Sequence, residues 1–293
     1  MQRIMPLIVS LAIFSTPVKA LEVLTSFKPI QMITLELTKG VTEPDVLMES
    51  SASPHDYALR PSDAMKIQNA DIIIWFGHDL ETFMSRLVDG DKRVITISDF
   101  DGVELREFED GHSHDGHDHG STDPHFWLGM NTTRDIAKVI SQELSQRDPA
   151  NKQRYQENYL AFEQLIDDEK RAITQKLSSV KSHGYFVFHD AYGYFEDEFE
   201  LNNLGHFTVS PERKPGAKTL ISIRKTLAKG EAKCVFSEPQ FTPAVINSVT
   251  RGSNVEVGTL DPVASTIKVQ QGSYIEFMNQ LADSFVSCLA KEG

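Results

Sequence analysis

Residues 70–100, ADIIIWFGHDLETFMSRLVDGDKRVITISDF, hold the pattern that decides the fold. ADIIIWFG is a short apolar run typical of a buried strand, and RVITISDF is a second strand. Between them DLETFMSRLVDG has helical spacing and ends at Gly90. A strand, a helix and a strand in this order predict a parallel sheet whose two faces are covered by helices.

The same alternation continues on both sides of this stretch. EVLTSF and DVLMES are predicted strands before it, KPIQMITLELTKG and RPSDAMKIQNA are predicted helices, and Ser62 is the predicted N-cap of the second helix. Later in the chain, predicted strands GYFVFHD, LNNLGHFTV, CVFSEPQF and VEVGTLDP alternate with helices GAKTLISIRKTLAKG, TPAVINSVTRG and SYIEFMNQLADSFVSCLAK. We therefore predict an α/β chain of two Rossmann-like lobes with parallel sheets.

A long helical pattern separates the two halves. Helical spacing resumes at Asn131, and Asp148-Pro149 has the residue types of an N-cap and a first helical position. Seven apolar residues then form one stripe: Tyr155, Tyr159, Phe162, Ile166, Ile173, Leu177 and Val180. The pattern predicts an N-terminal lobe at 21–148, a rigid linking helix at 149–180 and a C-terminal lobe at 181–293.

The first twenty residues have the features of a secretory signal peptide. Arg3 precedes an apolar run too short to span a bilayer, and small residues surround a cleavage position after Ala20. No cysteine follows that run, so we expect no lipid anchor, and no later run reaches the length of a membrane helix. The sequence predicts an exported protein without a membrane anchor.

The net charge of the chain limits the kinds of ligand that it favours, and its two cysteines bear on whether it contains a disulfide. The full chain has a net charge of -13, which repels nucleic acid and anionic lipid and favours cations. Cys234 and Cys288 are its two cysteines. In an exported protein they predict one disulfide, with two buried thiols as the alternative.

Four polar residues lie at or after the carboxyl ends of predicted strands in the two halves. They are His55, His125, His189 and Asp261, and consecutive members are more than 60 residues apart. Because ligands in open α/β sheets bind beyond the carboxyl ends of strands, we expect these residues to meet in a cleft between the lobes. Three imidazoles and a carboxylate suit a four-coordinate zinc ion, although imidazole also suits copper, nickel and iron.

Several alternatives remain open at this site. Glu238 also ends a strand and competes with Asp261 for the fourth position, and Asp261 before Pro262 has the residue types of a simple turn. His78 is a further candidate ligand, or a helix cap. Two acids beside the histidines, Asp123 and Asp190, are expected to orient the rings of His125 and His189 respectively.

A second group of histidines lies in residues 109–122, the His-rich segment. His112, His114, His117 and His119 stand among aspartates and glycines without helical or strand spacing. This composition predicts a loop that binds zinc with low affinity, because flexible ligands lose conformational entropy on binding. A solvated acidic loop is the alternative.

Several motifs resemble those of one protein family. SASPHDYALRPSDAMKIQNADIIIWFG, DPHFWL, FHDAYGYF and CVFSEPQF with a following LDP are similar to the zinc substrate-binding proteins of bacterial ABC uptake transporters. The resemblance covers essentially all of the chain after residue 20. The same cluster of binding proteins includes manganese members, some of which are adhesins.

The resemblance implies two lobes joined by a rigid helix, with the metal between them. It implies His55, His125 and His189 as ligands, and zinc as the metal, because manganese members carry a carboxylate at the third position. Asp261 matches the family's fourth carboxylate, a place that water or another acid takes in zinc members. The His-rich segment and the two cysteines resemble the loop and the disulfide of Gram-negative zinc members.

The expected function is therefore periplasmic zinc binding and delivery to an inner-membrane ABC permease with its ATPase. A periplasmic zinc chaperone is a further candidate partner, and the protein is expected to be a monomer. The alternatives are a manganese or iron binder of the same architecture and, more remotely, a zinc hydrolase. No HExxH or other hydrolase signature is present, so we expect no enzyme.

Overall fold

The computed structural model describes residues 21–48, 52–108, 122–241 and 244–291. The strands are β1 Val23–Thr25, β2 Asp45–Val46, β3 Ile72–Trp75, β4 Val94–Thr96, β5 Gly184–His189, β6 Asn203–Thr208, β7 Ala232–Ser237 and β8 Glu256–Thr259. The helices are α1 Lys28–Leu37, α2 Pro61–Asn69, α3 Ser85–Val88, α4 Met130–Arg147, α5 Lys152–Leu177, α6 Gly193–Phe199, α7 Ala217–Ala228, α8 Ala244–Thr250 and α9 Ser273–Leu289. Short 3-10 turns lie at Ile97–Asp99, Phe126–Leu128 and Pro149–Asn151. The predicted signal peptide lies outside the described residues.

The strands form two sheets with the same connectivity. Their orders are β2-β1-β3-β4 and β6-β5-β7-β8, and all neighbouring strands are parallel. The predicted α/β fold with parallel sheets in both halves is confirmed. In each sheet the second strand along the chain lies on one side of the first, and the third strand lies on its other side. Such a switch point leaves a crevice at the carboxyl ends of the strands.

One apolar core runs through both halves of the molecule. It contains Ile33 of α1, Ile140 of α4, Phe162 of α5, Tyr185 of β5 and Phe285 of α9. All seven residues of the stripe predicted for the long helix are buried in it. The outer face of each sheet packs against a smaller apolar cluster of its own. The two halves are therefore joined by continuous packing as well as by the chain.

A lysine from the first half of the chain forms hydrogen bonds with the backbone of a segment in the second half. The buried Lys28, at the start of α1, donates from Nζ to the carbonyls of Ala264, Ser265 and Ile267 at 2.9, 3.0 and 2.9 Å. Ala264 has φ 53°, a left-handed conformation that costs an L-residue energy. Burial lowers the pKa of the Lys28 ammonium, and the three carbonyls replace the water it loses.

The disulfide is confirmed. Cys234 on β7 is bonded to Cys288 on α9, with their Cα atoms 6.0 Å apart. The bond fastens the last helix to the second sheet. No helix in the described part of the chain has both the length and the apolar character that crossing a membrane requires.

The predicted helix 79–90 is largely wrong, because only α3 forms there. The side chain of Glu81 is fully buried and accepts hydrogen bonds from Ser26 Oγ and from the backbone N–H groups of Phe76 and Gly77. These bonds fold residues 77–84 into turns around the carboxylate. A tertiary contact has overridden a helical sequence pattern here.

Two helix starts also differ from the prediction. Helix α2 begins at Pro61 with Arg60 as its N-cap, so Ser62 is not the cap. The carboxylate of Asp63 accepts the Arg60 N–H at 2.8 Å, which satisfies a donor that the helix leaves free. The long helix starts at Lys152, after the 3-10 turn at Pro149–Asn151.

Candidate metal centre

Three histidines from distant parts of the sequence meet at the carboxyl ends of the strands. His55 lies in the irregular stretch between β2 and α2, and His125 stands directly before the turn Phe126–Leu128. His189 is the last residue of β5. The structure therefore brings together the three histidines expected from the sequence, from both halves of the molecule.

The spacing of the three rings fits a single ion. His125 Nε2 lies 3.1 Å from His55 Nε2 and 3.4 Å from His189 Nε2. One nitrogen from each of the three rings lies within 4.8 Å of the others. Nitrogens bound to one tetrahedral zinc ion at about 2.0–2.1 Å stand roughly 3.3 Å apart.

The ring of His125 is oriented by a buried carboxylate. Asp123 Oδ1 lies 2.7 Å from His125 Nδ1 and also accepts the His125 backbone N–H at 3.0 Å. A proton on Nδ1 is then shared with Asp123, which leaves the Nε2 lone pair facing the other two rings. The structure agrees with the orienting role expected for Asp123.

The ring of His189 is oriented by a different acid from the one expected. Glu238 follows β7, the neighbour of β5, and its two oxygens lie 2.6 and 2.8 Å from His189 Nδ1. Asp190 instead faces the other neighbouring strand, with its Oδ2 3.6 Å from Nδ1 of His206. Glu238 therefore contacts the far side of the His189 ring and does not join the three-histidine group.

The three-histidine group does not include Asp261. Its Oδ1 accepts from the Val263 N–H and from Gln240 Nε2, and its Oδ2 accepts from both the N–H and the Oγ of Ser265. Four donors thus occupy the carboxylate that the sequence suggested as a fourth ligand. Asp261 acts in this structure as the centre of the turn after β8, which was the simpler alternative.

Burial favours the neutral form of two of the clustered imidazoles. His125 and His189 are almost completely buried and His55 is half-buried. Burial is the main reason why the pKa of His55 and the pKa of His125 lie well below the usual range, and His189 lowers both further. Burial also raises the pKa of Asp123 to about 7. Neutral imidazole is the form that binds a metal.

The free space beside the rings is very small. The three histidines line a cavity of about 10 Å³ together with Trp127, Glu238 and other residues of both halves. Trp127 Nε1 donates to the Pro262 carbonyl at 2.7 Å, which fixes one wall of the cavity. A volume of this size holds about one water molecule or one ion.

The remaining histidines are elsewhere. His78 is exposed and its ring packs edge-on against Trp75, so it is not part of the group. His183 Nδ1 lies 2.8 Å from the Leu289 carbonyl. His112, His114, His117 and His119 lie outside the described residues.

A comparison with known sequences gives the family. A sequence profile of the family described as "ZnuA: Zinc-uptake complex component A periplasmic" matches residues 23–288. The chain belongs to the ZnuA family. Among its relatives, the "High-affinity zinc uptake system protein ZnuA" of Yersinia pestis is 43% identical over 289 residues, which cover 91% of each chain.

Solved structures of other proteins share the fold of this chain. A "Crystal structure of ZnuA" superposes with a TM-score of 0.80 at 21% identity and covers 92% of this chain and 100% of that one. The binding protein FpvC of Pseudomonas aeruginosa in complex with Mn²⁺ has a TM-score of 0.80 at 22% identity and covers 94% and 100%. At these identities the likeness supports the fold alone.

Proposed function

We propose that this chain binds Zn²⁺ in the periplasm through His55, His125 and His189 and delivers it to an ABC permease for import. The observation that carries the proposal is the cluster of three Nε2 atoms, with separations of 3.1 and 3.4 Å from the central one. Membership of the ZnuA family and the zinc-uptake description of the Yersinia pestis relative support the same function.

The donor set favours zinc over manganese. Manganese prefers carboxylate, carbonyl and water oxygens, whereas imidazole nitrogens suit zinc. Two buried acids beside the rings, Asp123 and Glu238, contact their Nδ1 atoms and not their Nε2 atoms. We propose that a water molecule or another small ligand completes the coordination of zinc.

A zinc hydrolase is poorly supported by the same site. Three histidines with an open fourth position also occur in catalytic zinc centres. Catalysis needs space for an organic substrate beside the metal, and the cavity here is about 10 Å³. The proposed role is therefore binding and transfer of the ion itself.

The proposal includes several features of the whole protein. Residues 1–20 would be removed as a signal peptide on export to the periplasm. Residues 21–148 and 181–293 would form the two lobes and 149–180 the linking helix. The protein would act as a monomer with a permease and its ATPase, and a periplasmic zinc chaperone is a candidate donor. His112, His114, His117 and His119 would bind further zinc with low affinity.

Zinc titration tests the proposal directly. The metal-free protein, without residues 1–20, is titrated with zinc in competition with a chelator. The titration is then repeated in the presence of Mn²⁺. We expect one tight zinc equivalent, its loss in His189→Ala, and weak competition by Mn²⁺. His78→Ala is the matched control, because His78 is an exposed histidine outside the group. Equal zinc affinity in wild type and His189→Ala would overturn the proposed site.

A further inference from the structure

Arg106 stands at the far end of a chain of contacts that reaches His125. Its Nη1 lies 3.3 Å from Asp123 Oδ2, while Asp123 Oδ1 is bound to the ring and the backbone N–H of His125. The two oxygens of Asp123 thus have separate tasks. One faces the arginine and the other faces the candidate ligand.

The backbone ties Arg106 and Asp123 together as well. The Asp123 N–H donates to the Arg106 carbonyl at 2.7 Å. The Arg106 N–H donates to Tyr194 Oη at 2.8 Å, and the same hydroxyl donates to the Asp123 carbonyl at 2.8 Å. The main chains of Arg106 and Asp123 are therefore fixed relative to each other, directly and through Tyr194 Oη, independently of the ion pair.

Helix α6 is shaped to receive the guanidinium group. A Cβ atom at Gly193 would lie 2.4 Å from Cζ of Arg106 and 2.6 Å from its Nε and Nη1. On the outer side Arg106 Nε donates to Asp197 at 2.9 Å. The arginine side chain is 19% exposed, whereas that of Asp123 is fully buried. The absence of a side chain at Gly193 is thus what leaves room for the arginine.

We propose that Arg106 is a positioning residue for the metal centre, holding Asp123 so that His125 presents Nε2 to the ion. This inference rests on the proposed function. A buried carboxylate without a partner for its second oxygen is costly and can rotate, and its hydrogen bond to Nδ1 then loses direction. Groups that orient ligating histidines typically change metal affinity by about 10–100-fold.

The test compares zinc affinities by chelator competition at one pH. We expect Arg106→Ala to weaken zinc binding by about 10-fold, in the range typical for such orienting groups. Arg106→Lys should recover part of the loss, because the ammonium restores the charge beside Asp123. Arg134→Ala is the matched control. Arg134 is also a half-buried arginine that pairs with two carboxylates, but on α4 and with Asp135 and Asp167.

A double-mutant cycle separates positioning from a general loss of structure. If Arg106 acts through Asp123, the variant that combines Arg106→Ala with Asp123→Asn should bind zinc no more weakly than Asp123→Asn alone. Losses that multiply would overturn the inference, as would wild-type affinity in Arg106→Ala.

Gly193→Ala provides an independent test of the role of Arg106 in case Arg106→Ala does not fold. It leaves the arginine in the chain but displaces its guanidinium, so it should also weaken zinc binding, and wild-type affinity there would contradict the inference. Wild-type protein titrated alongside distinguishes the two proposals. Absence of tight zinc binding in the wild type would refute the proposed function, whereas tight binding that is unchanged in Arg106→Ala would refute only the role of Arg106.

Discussion

At the residue scale, two of the clustered histidines have a buried acid on the nitrogen that faces away from the cluster. Asp123 holds His125 and Glu238 holds His189. His55 differs, because it is half-exposed and stands in an irregular stretch. The centre therefore has two firmly held rings and a third nearer to solvent.

Glu238→Gln should weaken zinc binding while leaving the fold intact. Glutamine keeps the shape and a carbonyl acceptor for His189 Nδ1, but it removes the negative charge that makes the imidazole a better donor to the metal. We expect about a 10-fold loss in affinity, measured by chelator competition. Glu256→Gln, a partly exposed acid on β8, is the control. Unchanged affinity in Glu238→Gln would mean that the charge behind His189 has no effect.

Glu196 should make the stability of the metal-free protein depend on pH. Burial raises the pKa of Glu196 to about 7, above the value of 4.5 that it has when exposed. Because the folded-state pKa is raised, its stabilising contribution is complete below about pH 4.5 and is lost as the pH rises through 7. The contribution of Glu196 to the free energy of unfolding then changes by at most about 1.4 kcal/mol per pH unit.

Glu196→Gln isolates this contribution. Glu196 Oε1 accepts hydrogen bonds from Tyr185 Oη and Asn203 Nδ2 at 2.9 and 2.8 Å, and a glutamine carbonyl can accept both. We expect the variant to gain stability relative to wild type between pH 5 and pH 8, as measured by urea unfolding. Parallel pH profiles for the two proteins would show that Glu196 does not titrate in this range.

The sequence was sufficient to find the three clustered histidines but not the acids around them. His55, His125 and His189 could be found because each lies at or after the carboxyl end of a predicted strand, and the carboxyl ends of parallel strands meet. Glu238 was seen as a competing ligand, and its contact with Nδ1 depends on β7 lying beside β5. Strand order cannot be read from one sequence, so neither Glu238 nor Arg106 could be placed.

At the scale of elements, the alternating strand and helix patterns predicted the two sheets well and the short helices α3 and α6 poorly. Each strand overlaps a predicted run, because apolar β-rich segments between turns are a strong signal, but several are shorter: β2 has two residues, and β4 gives way to a 3-10 turn at Ile97–Asp99. Helix 79–90 failed because the buried Glu81 organises that segment. Helix α6, which has seven residues, was not predicted from the sequence.

Lys28→Met should destabilise the contact between α1 and the segment after β8. Methionine keeps much of the side-chain volume but leaves the carbonyls of Ala264, Ser265 and Ile267 without their donor. We expect a loss of about 1–3 kcal/mol or more in the free energy of unfolding, measured in urea. Lys39→Met, an exposed lysine just after the same helix, should change it little. Equal stability of both variants would contradict a stabilising role for the Lys28 hydrogen bonds.

At the scale of the whole molecule, the shared core makes the two halves one packed unit. Side chains of α1, α4, α5 and α9 occupy the core together with those of both sheets. The Lys28 contacts and the bond from Trp127 to Pro262 add polar links between the halves. The site therefore lies at a junction where large relative movement of the halves would break many contacts.

Deletion of residues 111–120 should leave the tight zinc site intact. The His-rich segment is joined to the fold by an antiparallel bridge between Glu107 and Thr122, next to the bond from the Asp123 N–H to the Arg106 carbonyl. These contacts remain after the deletion. We expect calorimetric titration to show one tight equivalent and fewer weak ones than in wild type. Loss of the tight equivalent would place the specific site in the deleted residues.

The bridge between Glu107 and Thr122 also makes this position an insertion point. Whatever sequence lies between its two sides enters and leaves the fold at one place, and each doubling of a flexible loop costs only about 0.6 kcal/mol. A reporter domain whose own ends lie close together could be placed there without separating the strands of either sheet. Asp123, which directly follows Thr122, contacts Nδ1 of His125, so a reporter inserted at this bridge would lie close to a contact of the candidate metal centre and could report zinc binding.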